Sequence, residues 1–222
     1  HEVSCHSVLN VIKGFSPEKY EIHLIGITKE GHWIYVPEAA AIEDGSWYDG
    51  RKTAIISPDA VNSGIYLCDD EGHYERRKID VIFPVLHGKF GEDGTIQGVF
   101  EMSGIPYVGC GVLSSSVSMD KISTKIFVEK LGIRQAKFVA DIAPDLSELD
   151  HTVAEAEEKL GYPVFVKPSN AGSSCGVSKA ENREELKAAV ELAKKHDTRV
   201  LIEEMICGHE VECAVLGGRD PK

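Results

Sequence analysis

The chain has 222 residues, 42% of them hydrophobic and 27% charged, and a formal net charge of −12. That is enough chain to bury a core in one or two domains, and no apolar run approaches the roughly 20 residues of a membrane helix. The acidic balance argues against nucleic acid as a partner, because phosphate backbones need a basic face, yet a few local lysines could still hold one nucleotide.

Val3, Val8, Leu9, Val11 and Ile12 recur at helical spacing and stop at Gly14, which predicts a first helix. Residues 20–27 read as a buried strand. Between residues 28 and 78, the short apolar runs Trp33–Val36, Thr53–Ile56 and Ile65–Cys68 alternate with Gly, Asp and Pro, as hairpins do. Residues 80–86 are almost continuously apolar, the pattern of a parallel strand covered on both faces, and end at His87-Gly88. Residues 95–102 read as a helix and Tyr107-Val108 as a short strand. This alternation predicts a doubly wound α/β domain over residues 1–117. Ligands of such sheets gather at the carboxyl ends of the strands, where His87 and the Gly88 to Gly94 loop fall.

From Ser118 the pattern changes. Residues 119–131 predict a helix with Asp120 in its first turn and Gly132 as its stop. A strand at 135–140, a helix at 152–160, a strand at 164–166, a helix at 183–195 and strands at 199–204 and 210–216 follow. The order β-α-β-(Gly loop)-β-α-β describes a second, α+β unit. Cys5, Cys68, Cys110, Cys175, Cys207 and Cys213 are scattered without a C-x-x-C pair. They read as reduced thiols of a cytosolic protein rather than a zinc site or a disulfide framework. No signal peptide and no initiator Met open the chain at His1, and residues 218–222 stop just after a strand-like run, so the chain reads as a fragment.

Residues 163–176, Pro-Val-Phe-Val-Lys-Pro-Ser-Asn-Ala-Gly-Ser-Ser-Cys-Gly, are the most informative stretch. An apolar strand ends on Lys167 and enters a small, hydroxyl-rich loop whose backbone N–H groups can converge on an anion. The lysine precedes the glycines, so this is not the P-loop pattern. Lys121 and Lys167, neither in a basic run, could hold phosphates as two point charges, although either alone also suits a solvated surface. In residues 201–206, Glu203 could accept from an adenine amino group and Glu210 could take ribose hydroxyls, or these carboxylates could simply face water. The dipole of the first helix alone explains Glu2, and the functional alternative is capture of a substrate ammonium. His87 is either a satisfied core histidine or a binding group.

Taken together, His1-Glu2-Val3-Ser4, the stretch Leu86-His87-Gly88-Lys89-Phe90-Gly91-Glu92-Asp93-Gly94-Thr95-Ile96-Gln97-Gly98, Ser118-Met119-Asp120-Lys121, and Phe165-Val166-Lys167-Pro168 through Gly172-Ser173-Ser174 resemble the D-alanine–D-alanine ligases of the ATP-grasp superfamily. The stretch 87–98 is the specific part; the lysine–glycine loop is shared by many ATP-grasp enzymes. The resemblance implies a doubly wound pre-ATP-grasp domain (1–117), an α+β central ATP-grasp subdomain (118–203) and the start of a C-terminal subdomain (204–222). It implies that Glu2 holds the ammonium of the first D-alanine in a hydrogen-bonded chain that includes Ser173, and that His87 lies beside that substrate's carboxylate. Lys121 and Lys167 would grip the ATP phosphates under a closing loop that includes Ser169, Gly172, Ser173 and Ser174. Glu203, Glu204 and Ile206 would meet adenine, and Glu210 the ribose.

The implied reaction converts the carboxylate of the first D-alanine to an acyl phosphate, which the amine of the second then attacks. Such chemistry needs positioning, charge stabilisation and exclusion of water. The family's upstream strand and Gly-Gly-x-Ser segment would precede His1. Its C-terminal third would follow Lys222, with the ligands for Mg2+ or Mn2+, a transition-state arginine and the loop that chooses the second substrate. No metal ligand is therefore expected here, and the 222 residues alone are expected to be inactive although the full-length parent should be a ligase. A homodimer and a bacterial cytoplasmic location follow from the resemblance, with D-alanine and ATP as partners. D-alanine–D-lactate and D-alanine–D-serine ligases of vancomycin resistance share the same segments. A non-catalytic ATP-binding module is opposed by Glu2, His87 and Ser173, and an ATP-grasp enzyme for another carboxylate by residues 87–98.

Overall fold

In the computed structural model, residues 2–218 and 221 are described. His1 of the first resembling segment, and Arg219, Asp220 and Lys222 of the terminal run, lie outside the described residues. Two compact units share the chain: residues 1–131 with 169–175, and residues 132–168 with 176–222.

The first unit opens with α1 (Glu2–Lys13), on the helical spacing of its apolar residues. Five short strands follow, β1 (Leu24–Ile27), β2 (Trp33–Val36), β3 (Thr53–Ile56), β4 (Ile65–Cys68) and β5 (Tyr74–Arg77), with α2 (Ala40–Glu43) and a 3-10 turn (Ser46–Asp49) between β2 and β3. They form one sheet in chain order, and every neighbouring pair is antiparallel. Period-two side chains split its faces. Ala54, Ile56, Ile65 and Leu67 pack with Ile96 and Phe100 of α3 (Thr95–Ser103), whereas Ile34 and Val36 turn the other way toward Trp47 and Ala41. The mixture of helices and sheets fits the α/β reading, but this sheet is an antiparallel meander rather than a parallel, doubly wound one. Residues 80–86 are not a strand: their pairing is one parallel bridge, Ile82 to Tyr107. The expected strand at 20–27 shrinks to β1, which is half-buried.

The predicted helix at 119–131 forms as α5 (Lys121–Lys130), and a further helix, α4 (Val112–Met119), precedes it. Asp120 separates them. Its backbone is extended at φ −83° and ψ 106°, and its Oδ1 accepts from Ser123 N at 2.8 Å, so it caps α5 rather than lying in its first turn.

In the second unit β6 (Phe138–Asp141), α6 (Leu149–Lys159), β7 (Val164–Pro168), β8 (Ser178–Ala180), α7 (Arg183–Lys194) and β9 (Val200–Glu204) follow the predicted order. The sheet runs β6-β9-β7-β8, antiparallel throughout. Val139, Val164, Val166, Val200 and Ile202 meet Val153 and Ala156 of α6 and Leu186, Val190 and Ala193 of α7 in one core. The strand expected at 210–216 is absent: those residues are exposed and belong to no element.

Candidate functional site

The loop after β7 starts on a locked residue. Ser169 is fully buried; its carbonyl accepts from Lys121 N at 2.9 Å and its Oγ from Ile122 N at 3.1 Å. The Ser169 hydroxyl therefore fastens the loop to the first turn of α5. Lys121 Nζ donates to Ala171 O at 2.5 Å and lies 3.5 Å from Ser169 O. An ammonium with three donors, at the positive end of a helix, adds to the field that favours an anion there.

The loop then tightens. Cys175 N donates to Gly172 O at 3.2 Å, and the two residues between, Ser173 and Ser174, both have left-handed backbones at φ 52° and 55°. A non-glycine residue in that region costs about 1–2 kcal/mol, a strain that tends to collect at ligand clamps. Both serines are exposed. A Cβ on Gly172 would lie 4.0 Å from Gly88 Cα and 3.9 Å from Met119 Cε, so the loop tip rests against the turn that follows His87.

That turn is closed by its own side chains. Glu92 Oε2 accepts from Gly88 N at 2.5 Å, and Asp93 accepts from Phe90 N at 2.8 Å and Thr95 N at 3.0 Å. Burial pushes the Asp93 carboxyl up, but these N–H groups outweigh it and hold the group below its ordinary 3.8. Gln97 Nε2 donates to Gly91 O at 2.9 Å. His87 itself is exposed. Glu2, at the start of α1, is also exposed, and its contact is Lys29 Nζ at 3.6 Å.

Within the second unit, Lys167 and Glu203 share a sheet face on adjacent strands, with Lys167 opposite Leu201 and Glu203 opposite Phe165. Lys167 Nζ meets Glu203 Oε2 at 2.5 Å, the lysine side chain 31% exposed and the glutamate 11%. Glu204 accepts from Lys137 N at 2.8 Å and donates its own N to Lys137 O at 3.1 Å, extending the β6–β9 ladder. Ile206 and Glu210 are exposed beyond β9.

Lys121, Ser169, Gly172 and the His87 turn thus come together, as do Lys167 and Glu203. Glu92, Asp93 and Gln97 carry structural duties that sequence reasoning assigned to none of them. Among the described residues, no group of three or more His, Cys, Asp or Glu side chains is placed to hold a metal ion.

Two family models cover most of the chain: "D-ala D-ala ligase N-terminus" matches residues 1–110 and "D-ala D-ala ligase C-terminus" residues 127–222. A D-alanine--D-alanine ligase of Acetivibrio thermocellus is 47% identical, over 100% of this chain and 62% of its own length. The Vancomycin B-type resistance protein VanB of Enterococcus faecalis is 44% identical, over 99% and 60%. Among solved structures, the VanG D-Ala:D-Ser ligase from Enterococcus faecalis superposes with a TM-score of 0.90 at 40% identity, covering 99% of this chain and 63% of that one. The D-alanine-D-alanine ligase from Coxiella burnetii gives 0.84 at 29% identity, covering 100% and 65%. The chain spans about three fifths of the length of the curated relatives it matches.

Proposed function

The chain belongs to the D-alanine–D-alanine ligase family, and on that premise we propose that its protein uses ATP to join two D-alanine molecules for the bacterial cell wall. The observation that carries this reading is the nearness of the glycine loop to the His87 turn: a Cβ on Gly172 would come within 4.0 Å of Gly88 Cα, while Lys121 holds the loop by Ala171 O. One segment suits phosphate and the other a small carboxylate, as transfer of phosphate to an amino acid requires.

In this reading Lys121 and Lys167 offset the phosphate charge, and the Gly172 to Cys175 turn supplies N–H donors to the transferring group. Lys121 can grip a loop carbonyl and a phosphate oxygen at once. Lys167 would divide its charge between Glu203 and the nucleotide, whose base would meet Glu203, Glu204 and Ile206 and whose ribose would meet Glu210. His87 would accompany the first substrate's carboxylate, and Glu2 with Ser173 its ammonium. The closed loop keeps water from the acyl phosphate until the second amine attacks. Subdomain limits at 117 and 203, a homodimer and a cytoplasmic location belong to the same reading. No helix among the described residues is long and apolar enough to cross a membrane. Mg2+ or Mn2+ also belongs to it, but the described residues do not fit such an ion, and no step here runs through one.

The test is release of ADP and phosphate by the full-length parent of this chain with D-alanine as first substrate and D-alanine, D-lactate or D-serine offered as second. D-alanine-dependent release is expected, and the preferred second substrate identifies the subclass. No release with any of the three overturns the ligase reading.

A further inference from the structure

We infer that Gln97 is a positioning residue for the first-substrate end of the site: its amide fixes the turn that carries His87. The inference rests on the ligase reading for His87's role, but its geometry lies wholly within the first unit. Gln97 sits in the first turn of α3 and is only 6% exposed. Its Nε2 donates to Gly91 O at 2.9 Å, and because a carbonyl can only accept, that contact fixes which way the amide faces. Oε1 is thereby left in the interior, where no donor reaches it among the described residues. An apolar side chain would fill the position without stranding an acceptor, so stability is a poor reason for a glutamine here. What the amide does achieve is to hold Gly91.

Gly91 in turn bears directly on His87. A Cβ at Gly91 would lie 2.7 Å from Leu86 Cβ and 3.2 Å from His87 N, so its α-carbon is seated against the backbone that presents the imidazole. The carbonyl of Gly88 accepts from both Gly91 N and Glu92 N, at 3.1 and 2.9 Å, which ties the same two segments together from the other side. Without the Gln97 donor, Gly91 O loses its partner inside this turn. The Gly91–Glu92 peptide then keeps only its Glu92 N bond to Gly88 O, and the seat of His87 loosens. The reacting end of a small substrate tolerates little such movement, since binding geometry sets the rate.

Two variants separate this role from a general packing role. Gln97→Leu removes the donor. Gln97→Glu keeps the shape and regains a donor only when its carboxyl is protonated, which burial favours. In the intact protein, KM for D-alanine and for ATP, the thermal midpoint, and the ring resonance of His87 in histidine-labelled protein are measured for each. Both variants should raise the KM for D-alanine about tenfold with that for ATP little changed, and both should shift the His87 resonance. The Gln97→Glu defect should shrink from about pH 8 to about pH 6. An unmoved His87 resonance in both variants overturns the inference, as does a rise of both KM values in step with lost thermal stability. If the unsubstituted protein releases no D-alanine-dependent phosphate, the ligase reading fails by itself, and the His87 resonance alone then decides the positioning role.

Discussion

Lys167 faces two claims on one ammonium. Its Nζ lies 2.5 Å from Glu203, which has an 11% exposed side chain, so the pair is only partly open to water and screened less than a surface ion pair. In the proposed function the same charge also faces an ATP phosphate. Lys167→Met should therefore do two things at once. It should lower unfolding stability by about 1–2 kcal/mol, because Glu203 keeps its charge in a poorly hydrated place, and weaken ATP binding at least about tenfold. Lys167→Arg should keep most of the stability but not the affinity, since a planar fork does not reproduce a point charge at the same spot. Urea midpoints and nucleotide titrations check the two effects separately. A Lys167→Met protein that binds ATP normally would remove this residue from the phosphate site.

At the scale of elements, the second unit is pinned by a cation that no sequence pattern flagged. Lys194, in the last turn of α7, donates from Nζ to Asp141 Oδ1 at 2.8 Å, Ala143 O at 2.6 Å and Thr198 O at 2.9 Å. Both side chains are nearly sealed, 7% and 2% exposed. Three acceptors satisfy three protons, so the end of β6, the end of α7 and the approach to β9 meet at one atom. Lys194→Met should cost about 3–5 kcal/mol by leaving Asp141 charged in the interior. Adding Asp141→Asn should recover part of that, read as a return of the urea midpoint with the slope unchanged. The residue looked like one more lysine on an amphipathic helix, because local sequence says nothing about a carboxylate 53 positions away. Elements set by local pattern were legible: α1, α7, β3 and β4 follow their apolar periods. Failures came where a partner decides. Residues 80–86 have an apolar run suited to a strand covered on both faces, but Val81 and Phe83 face out, only Ile82 of the three packs inward, and they pair through one bridge. The α4 helix, Val-Leu-Ser-Ser-Ser-Val-Ser-Met, forms although its four serines are weak helix formers, and no sequence expectation covered it. The site divided the same way. The contact of Lys121 with the glycine loop joins two segments that the sequence singled out, whereas the work of Gln97 on Gly91 is visible only once the turn is folded.

At the scale of the whole chain, two units with separate cores make unequal claims on stability. In the second, ten apolar residues from three strands and two helices, among them Val153, Val164, Leu186, Val190 and Ile202, are fully sealed from solvent. In the first, every residue of its two core clusters keeps some exposure, and α1 has no buried residue at all. Burial of apolar area is the main favourable term in folding, so the first unit has less to set against its chain entropy. The chain's two tryptophans, Trp33 and Trp47, both lie in that unit. Tryptophan fluorescence therefore reports the first unit, while far-UV circular dichroism averages over helices of both. On urea unfolding the fluorescence midpoint should fall below the dichroism midpoint, and the dichroism curve should broaden or split, as expected when two domains depart from all-or-none behaviour. Superimposable curves with a single sharp transition would mean that the cores melt as one. That outcome would shift the weight of stability from the second unit's sealed core to interactions shared along the whole chain.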